Sequence, residues 1–302
     1  MNRIVSILRP VANGLIQAAC IVALTFFLCR VMPGDVVDVF GLEGGLSAQQ
    51  QIEMRHQLGL DQPLTMQFLA WIDHALKGDF GRSLRFDQPV GDMLVTALPV
   101  TAKLAGLSFV FGVGLALMLA IGATAFRSRV LDGLIDGVNI WSIAVPTFCA
   151  GFVGILLFSI WFGWLPVVGS LVLPVIIIGL DNAGQIVKSL REELKEAVML
   201  PHVRTARAKG LSPWRIALAH VLPAAAPILL AVSGLVLGTL VAGSLTMEVL
   251  FGLPGIGSLT LNAIHGRDYP VILAAVTIIA VSLVFINMVV DVLHRFIDPR
   301  RA

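Results

Sequence analysis

Residues 100–126 read VTAKLAGLSFVFGVGLALMLAIGATAF, and this apolar run decides the class of fold. About twenty such residues suffice for a helix to cross the hydrocarbon core of a bilayer. The whole chain of 302 residues is 57% hydrophobic and 13% charged, with a mean hydropathy of +0.90. That composition leaves too little polar surface to cover a soluble globule. We therefore expect an all-α polytopic membrane protein.

Six apolar runs are long enough to span, at residues 11–32, 100–126, 134–162, 171–187, 224–246 and 271–296. The fourth carries Asp181, Asn182 and Gln185, and polar groups are tolerated where a span faces a bundle interior or an aqueous path. Six transmembrane helices are therefore predicted. The first run is longer than a signal core and no small-x-small site follows it, so we expect it to remain in the mature chain; a cleaved secretory signal is the alternative.

The orientation follows from the placement of Lys and Arg, because cytoplasmic loops carry an excess of both. With the N-terminus inside, most basic residues fall on the cytoplasmic side, namely Arg3, Arg9, Arg127, Arg129, Lys188, Arg191, Lys195, Arg204, Arg207, Lys209, Arg215, Arg295, Arg300 and Arg301. The other side holds Arg30, Arg55, Lys77, Arg82, Arg85, Lys103 and Arg267. Both termini are therefore predicted to be cytoplasmic. The formal net charge of +2 gives no case for nucleic-acid binding.

Two connections are much longer than a turn, and such connections usually carry function or a small subdomain. The outer one, residues 33–98, contains a helix-capping Ser47 followed by good helix formers. Apolar residues recur along it, and we therefore expect a small helical insert on the outer face. The inner connection, residues 188–222, begins with a highly charged helical stretch at 191–198.

The inner connection also contains clear signals for where helices end and begin. A second piece, 203–209, ends at Gly210, the residue best suited to a left-handed helix stop. A third begins at Ser212 and Pro213, a cap followed by proline at the first helical position, and runs to His220. This predicts a cytoplasmic helix-turn-helix between the fourth and fifth spans. The alternative is a solvated loop.

These residues carry a resemblance to a known family. Ala206, Gly210 and Leu222-Pro223 match the anchor positions of the cytoplasmic signature of binding-protein-dependent ABC importer permeases. Arg204 replaces the glutamate of the general signature, and His220 replaces its isoleucine. Both departures fit the dipeptide, oligopeptide and nickel branch, whose version of the signature resembles residues 203–211.

Further motifs extend the resemblance over nearly the whole chain. They are Pro33-Gly34-Asp35, Leu58-Gly59-Leu60-Asp61-Gln62-Pro63, Gly78-Asp79-Phe80-Gly81, Pro146-Thr147-Phe148, Trp164-Leu165-Pro166, Pro254-Gly255-Ile256-Gly257, Ile264, Arg267-Asp268-Tyr269-Pro270 and Asp298-Pro299-Arg300. A long insert after the first span is typical of the B-type subunit of this branch. Each motif alone is weak, but their order and predicted topology make the set strong.

The resemblance implies a type I ABC importer permease fold in a bacterial inner membrane. It divides the chain into a first transmembrane helix at 1–32, a periplasmic helical insert at 33–98, and a core permease domain at 99–302 that includes segment 188–222. The implied partners are a second homologous permease, two ATPase subunits and a periplasmic or lipid-anchored substrate-binding protein. ATP and Mg would be bound by the ATPase subunits. The chain itself lacks a G-x-x-x-x-G-K-[ST] phosphate loop, so we expect neither enzymatic activity nor a cofactor in it.

The predicted ATPase-coupling residues are Arg204, Thr205, Ala206, Arg207, Ala208, Lys209, Gly210, Leu211 and Pro223. In this hypothesis the helix docks into a groove of the ATPase and moves as a rigid body when ATP closes that subunit. The basic residues would pair with acids of the ATPase, while Ala206 and Ala208 would allow close approach. The alternative is that the positive charge only enforces orientation.

Two further groups of residues are candidates for the transport path. The pathway candidates are Asn139, Ser142, Asp181, Asn182, Gln185, Ser233 and Thr239, with hydrogen bonding between helices as the alternative for each. Segment 251–270 combines Gly and Pro with apolar residues and predicts a short helix or gate, or a plain connecting loop. Its gate candidates are Pro254, Gly255, Gly257, Arg267, Asp268 and Tyr269, of which Arg267 and Asp268 could instead form a local ion pair.

No metal site is predicted. Cys20, Cys29 and Cys149 lie in apolar runs without paired spacing and are expected to be small buried hydrophobes. His265 is isolated, and a lone histidine is usually structural. Peptides are the expected cargo and nickel or another metal chelate the alternative, because the short link at 167–171 resembles nickel-type members as well.

Three other classes are weaker. A secondary transporter should show paired interrupted helices and membrane-embedded ionisable groups, of which Asp181 is the one example. A membrane enzyme should show a convergent set of titratable groups, and the sequence shows none. A scaffold would leave the cytoplasmic signature unexplained.

Overall fold

The computed structural model of the chain describes residues 2–31, 37–38, 47–57 and 59–297. Within these ranges the chain is helical, and the one β pairing is an isolated antiparallel bridge between Arg82 and Pro89. The all-α prediction is confirmed. The described residues of the long apolar runs lie almost entirely in helices, whose internal hydrogen bonds satisfy the backbone as a bilayer requires.

The helices of the described residues are α1 Asn2–Val31, α2 Ala48–Gln57, α3 Leu64–Leu76, α4 Val90–Phe126, α5 Arg129–Ala144, α6 Thr147–Gly154 continued by a π-helical stretch Ile155–Trp161, α7 Val172–Ala197, α8 Pro201–Ala208, α9 Pro213–Ile216 continued by a π-helical stretch Ala217–Val221, α10 Leu222–Leu250, α11 Ile256–His265 and α12 Tyr269–Ile297. In this part of the chain, five helices are long and apolar enough to cross a membrane. The pair formed by α5 and α6 adds a sixth crossing if it is one span.

The third predicted span is not one straight helix. Arg129–Ala144 and Thr147–Trp161 are bent by 102° relative to each other. Pro146 causes the break, because its ring disfavours helical geometry at the preceding residue. Val145 accordingly has φ −110° and ψ 110°. The expectation of one continuous helix over residues 134–162 was therefore wrong in shape.

The other predicted spans are present, with shifted ends. Helix α4 begins at Val90 and continues through Pro99, so the last residues of the 33–98 insert are its first turns. Helix α7 continues beyond residue 187 to Ala197. Within the insert, the Ser47 backbone N–H donates to Gln50 Oε1 at 2.8 Å and the Gln50 N–H to Ser47 Oγ at 3.4 Å. This reciprocal pair caps α2.

The described residues form two compact units. The first contains Ala102–Leu253 with flanking parts of α1 and α12. Its α5, α7 and α10 pack around the buried Ile177, Ile186 and Leu190. Glycine also allows α4 to approach α7 closely, because a Cβ at Gly112 would lie 2.8 Å from the Gly179 carbonyl oxygen.

The second unit contains the described residues of Val11–Thr101 together with Pro254–Val284. Its core joins the first turns of α4 to α11 and α12 through Val90, Leu94, Ile256, Ala263 and Tyr269. Aromatic side chains pack α1 against α3. The Phe26 and Phe68 ring centroids are 5.1 Å apart.

Candidate functional site

Helix α8 carries most of the predicted ATPase-coupling residues. Pro201 occupies its first turn, where a missing N–H costs nothing. Val203 and Ala206 face inward and are buried. The opposite face is exposed and cationic, and it consists of Arg204, Thr205, Arg207, Ala208 and Lys209. An exposed basic face of this kind is complementary to an acidic surface.

Ala206 does not have the position that close approach to a partner would need. The sequence hypothesis placed it with Ala208 on a contact face, but Ala206 is 4% exposed and only Ala208 is exposed. The structure thus separates the two alanines. Ala206 supports α8 from beneath, where a larger side chain would push the helix outward.

Gly210 ends α8 as predicted. Its φ is +75°, a left-handed geometry that glycine adopts without strain. The Gly210 N–H donates to the Arg207 carbonyl at 3.0 Å, and the Leu211 N–H donates to the Ala206 carbonyl at 3.4 Å. The next helix starts as predicted too, because the Ser212 side chain accepts from the Arg215 N–H and Pro213 follows the cap.

The third piece of the predicted helix-turn-helix is not separate from the fifth span. Pro213–Ile216 continues through the π-helical stretch Ala217–Val221 into Leu222–Leu250. Proline at 223 has no N–H to donate and crowds the carbonyl four residues earlier, and the π-helical stretch ends two residues before it. Pro223 is exposed at the start of α10. The predicted boundary at His220 is therefore absent.

Helix α8 is attached to the membrane helices by a few specific contacts. His202 Nε2 lies 3.1 Å from the His220 carbonyl oxygen. Ala217 packs with Ile121 and Ala125 at the end of α4. The first contact joins α8 to the π-helical stretch Ala217–Val221, and the second joins that stretch to the end of α4.

Arg191 is the principal residue that the sequence hypothesis misjudged. The sequence placed it in a highly charged helical stretch, but it is 8% exposed. Its Nε donates to Asp132 Oδ1 at 2.8 Å, and its Nη1 donates to Thr124 Oγ1 at 3.1 Å. Its Nη2 lies 3.5 Å from the Ala123 carbonyl oxygen. Arg191 thereby joins α7 to α4 and α5 through the planar donor geometry of guanidinium.

A second ion pair lies one turn earlier on α7. Lys188 Nζ is 2.6 Å from Asp136 Oδ1, so α5 and α7 are paired by charge at two successive turns. Local sequence offered one signal for this arrangement, the spacing of Asp132 and Asp136 by four residues, which places both on one helical face. The partners are more than fifty positions away and were not predicted.

Two pathway candidates form a helix contact. Asn139 Nδ2 donates to the Gly184 carbonyl at 3.0 Å, and Ser142 Oγ donates to the Asn139 carbonyl at 2.9 Å. A Cβ on Gly184 would lie 2.5 Å from Ser142 Oγ and from the Val138 carbonyl oxygen. These polar groups therefore hold α5 against α7.

Two other candidates lie together near the bend at Pro146. Gln185 Nε2 donates to Asp181 Oδ2 at 3.1 Å, and the Thr147 side chain lies near that carboxylate. Asp181 is half-buried and Gln185 is exposed. The structure thus collects an acid, an amide and a hydroxyl from α6 and α7, of which Thr147 was not predicted.

The remaining pathway candidates make no hydrogen bond to that cluster in the described part of the chain. Thr239 is exposed, and its hydroxyl donates to the Val236 carbonyl at 2.9 Å. Asn182 and Ser233 are buried. Among the residues that the structure describes, Asn182 Nδ2 and Ser233 Oγ have no hydrogen-bond partner.

The predicted gate segment contains the expected short helix. Helix α11 begins after Pro254 and Gly255, and the Ile256 N–H donates to Thr101 Oγ1 at 2.8 Å. Gly257 is buried in its first turn. Arg267 has φ +51°, and the Arg30 guanidinium lies 5.3 Å from the centre of the Tyr269 ring. Asp268 is fully buried.

Potential metal ligands are dispersed. Across residues 2–31, 37–38, 47–57 and 59–297, no group of three or more His, Cys, Asp and Glu side chains is arranged to hold a metal ion. Cys29 is buried and Cys149 partly so, whereas Cys20 is exposed on α1. The expectation that all three cysteines are buried was thus wrong for Cys20.

The geometry defines a class: a multi-pass helical membrane protein with a cationic helix between two of its spans. Residues 96–302 match the family model described as binding-protein-dependent transport system inner membrane component. Residues 3–105 match the model of the N-terminal region of such components. The chain belongs to this family of binding-protein-dependent transport components of the inner membrane.

Several relatives match over nearly their full length. A putative peptide transport system permease protein of Brucella abortus (strain 2308) is 32% identical over 97% of this chain and 98% of its own. The di/tripeptide transport system permease protein DppB of Pseudomonas aeruginosa (strain UCBPP-PA14) is 33% identical over 92% of each chain. The glutathione transport system permease protein GsiC of Salmonella typhimurium (strain LT2) is 35% identical over 95% of each chain.

The solved structures agree at the level of the fold. A chain of the inward-facing MetNI methionine ABC transporter aligns over 68% of this chain and 96% of its own, with a TM-score of 0.57 and 19% identity. A chain of an amino acid ABC transporter aligns over 68% and 94%, with a TM-score of 0.53 and 14% identity. The core of this protein therefore has the fold of ABC importer permeases.

Proposed function

We propose that this chain is the transmembrane permease subunit of an ATP-driven importer that carries di- and oligopeptides across the inner membrane. The observation that carries the proposal is the match to peptide, di/tripeptide and glutathione transport permeases over more than nine-tenths of the chain. A match over this length supports the proposal that the spans, the insert and the coupling segment all correspond to parts of a permease.

The proposal includes partners that bind nucleotide and substrate. A second homologous permease completes the pathway, two ATPase subunits bind ATP and Mg, and a binding protein delivers cargo from outside. The family description supports the binding-protein partner. The exposed cationic face of α8 supports an ATPase partner with complementary acidic side chains.

Helix α8 is the proposed contact with the ATPase. Arg204, Arg207 and Lys209 project from its exposed face, and Gly210 fixes the angle at which the chain leaves it. Because His202 bonds to the start of α10, closure of the ATPase on ATP would move α8 and the fifth span together. Arg191 would carry the same movement to α4 and α5.

The proposed polar part of the pathway is the cluster of Asp181, Gln185 and Thr147. It lies at the bend between α5 and α6, where regular helix is interrupted, and interrupted helices place polar groups where a path can be lined. The side chain of Gln185 is exposed on the surface of α7. Asn139 and Ser142 serve mainly in helix contact, and α11 is the proposed periplasmic gate.

The decisive experiment is uptake by the reconstituted complex of both permeases, ATPase subunits and binding protein in proteoliposomes. Labelled di- to pentapeptides, glutathione and nickel chelates are compared with ATP, with a non-hydrolysable ATP analogue and without nucleotide. ATP-dependent uptake of peptides supports the proposal. Uptake of the chelate alone would assign the chain to metal import, and uptake without ATP would favour a secondary transporter.

A further inference from the structure

Helix α11 is short and needs support from outside its own sequence. It spans Ile256–His265 between Gly255 and Gly266. Both flanking residues are glycines, so neither provides a side chain that could cap the helix. A loop of the insert, residues 81–89, lies against the end of this helix. We call these residues the support loop.

The support loop is a closed, tightly bonded turn. The Ser83 N–H donates to the Gln88 carbonyl at 2.8 Å, and the Asp87 N–H donates to the Ser83 carbonyl at 3.0 Å. Gly81 and Asp87 have φ of +78° and +50°, and both residue types tolerate this geometry. The loop therefore has a defined shape against which another element can be fixed.

Asp268, directly before α12, is bound to this loop. It is 0% exposed, and its carboxylate accepts a hydrogen bond from the Ser83 hydroxyl. It also accepts from the Leu84 N–H at 3.2 Å and, at 3.4 Å, from the Arg85 N–H. A buried carboxylate is costly unless its acceptors are satisfied, and three donors of one loop satisfy this one.

A second contact holds the other side of the same corner. Arg85 Nη1 lies 3.5 Å from the Asn262 carbonyl oxygen in the last turn of α11. A Cβ at Gly266 would lie 2.9 Å from the Arg85 side chain, so the arginine lies directly over the helix end. The Ser83 hydroxyl also accepts from the Phe86 N–H at 3.0 Å, which ties the interaction into the loop.

Helix α11 in turn forms one wall of a groove. The groove has a volume of about 350 Å³, and its opposite wall is the first turns of α4. Its polar side chains include Asp92 and Thr96 on α4, and Ser258 and Asn262 on α11. The width of this groove depends on where α11 is held.

We propose that Asp268 is a positioning residue that locks α11 to the support loop, so that the insert and the wall of the groove move as one body. The effect on transport rests on the proposed importer function, in which α11 is the gate. Release of the lock would let α11 move without the insert, and ATP hydrolysis would then be poorly coupled to passage of cargo.

The test compares Asp268→Asn with Asp87→Asn. Asparagine has nearly the same shape as aspartate. Its amide nitrogen is a donor, however, so it cannot accept the hydrogen bonds that one carboxylate oxygen of Asp268 accepts from the loop. Asp87 lies in the same loop, where its carboxylate pairs with Arg82 and its side chain is 90% exposed. Such an exposed ion pair contributes little to stability, and asparagine also tolerates the positive φ, so Asp87→Asn is the matched control for the change of charge. Thr260→Cys, introduced into a chain without native cysteines, places a buried thiol on α11.

Two measurements are made on the assembled complex. The first is the rate of maleimide reaction at residue 260, and the second is the number of labelled peptides imported per ATP hydrolysed. We expect Asp268→Asn to raise the rate of maleimide reaction about tenfold, because hydrogen bonds to a charged group are lost. We expect the same variant to lower the number of peptides imported per ATP about tenfold. Asp87→Asn should change neither value, and Ser83→Ala should act like Asp268→Asn but less strongly.

The outcomes separate the lock from the transport function. An unchanged labelling rate or an unchanged ratio in Asp268→Asn overturns the proposal. If Asp268→Asn does not assemble, Ser83→Ala is judged by the same labelling rate and the same ratio. If neither variant assembles, the contact serves folding alone, and this result also overturns the proposal. If the wild type imports no peptide, the importer proposal fails while the labelling comparison still tests the lock.

Discussion

At Gly210 the backbone conformation, rather than the available space, restricts the residue type. A Cβ there would meet nothing within 4 Å, yet φ is +75°. For a residue with a Cβ such a left-handed conformation costs about 1–2 kcal/mol. The cost of a substitution is therefore conformational, and it falls on the helix stop beside the proposed ATPase contact.

Gly210→Leu is expected to abolish import while leaving the protein inserted in the membrane. Leucine avoids the left-handed conformation, so α8 ends differently and its cationic face is redirected. The matched variant is Gly210→Asn, which tolerates this conformation and should retain most uptake. The measurements are peptide uptake and the amount of permease in the membrane, and normal uptake by Gly210→Leu would contradict the role of the stop.

Arg191→Lys is expected to destabilise the protein although the charge is kept. Lysine cannot reach Asp132, Thr124 and the Ala123 carbonyl together, and the lost hydrogen bonds reduce the free energy of unfolding by about 2 kcal/mol. The measurement is the apparent melting temperature of the purified protein in detergent. Lys195→Met, on the same helix at an exposed position, should have little effect; equal melting temperatures for both variants would show that Arg191 is not a structural joint.

At the scale of elements, the contact between α5 and α7 depends on the absence of one methyl group. Gly184→Ala places a Cβ 2.5 Å from the Val138 carbonyl oxygen, a backbone atom that cannot rotate away. Such overpacking costs about 1–3 kcal/mol and should lower the melting temperature.

The control for Gly184→Ala is Gly137→Ala on α5, where a Cβ meets nothing within 4 Å. Alanine is about 1 kcal/mol better than glycine in a helix, so this variant should be neutral or stabilising. A melting temperature of Gly184→Ala at or above the wild-type value would show that the two helices separate without cost.

The bend at Pro146 shows how an element is predicted only in part. Apolar composition over 134–162 indicated a span, and both halves are indeed apolar helices. A proline in a membrane helix can give a slight kink or a large one, so Pro146 did not by itself predict a break. The angle of 102° could not be predicted from the local sequence, and Thr147 and Asp181, which lie near each other, are distant in sequence.

At the scale of the whole molecule, the charge distribution predicts one orientation in the membrane. Lys77→Cys and Lys209→Cys in a chain without native cysteines test it, because both positions are exposed and the substitution is the same. A membrane-impermeant maleimide added to intact spheroplasts should label residue 77 and not residue 209. Inverted vesicles should give the opposite result, and labelling of residue 209 from outside would reverse the predicted topology.

Much of the candidate site could be read locally. The stop at Gly210 and the cap at Ser212 depend on residues within one turn, so their sequence signals correspond directly to geometry. The burial of Ala206 and the merging of the third piece with α10 were missed, because they depend on what packs against the segment. Arg191 was misread for the same reason, since a charged residue in a polar stretch does not reveal a distant partner.

The sequence by itself determined that the protein lies in a membrane, how many apolar runs it has and to which family it belongs. Length, hydropathy and short motifs are properties of neighbouring residues. Only the tertiary structure decided which polar side chains form hydrogen bonds between distant elements. Asp268 meets Ser83 across 185 positions and Arg191 meets Asp132 across 59. Such pairings depend on how the helices pack, and the energy that selects them is shared among many contacts far apart in the chain.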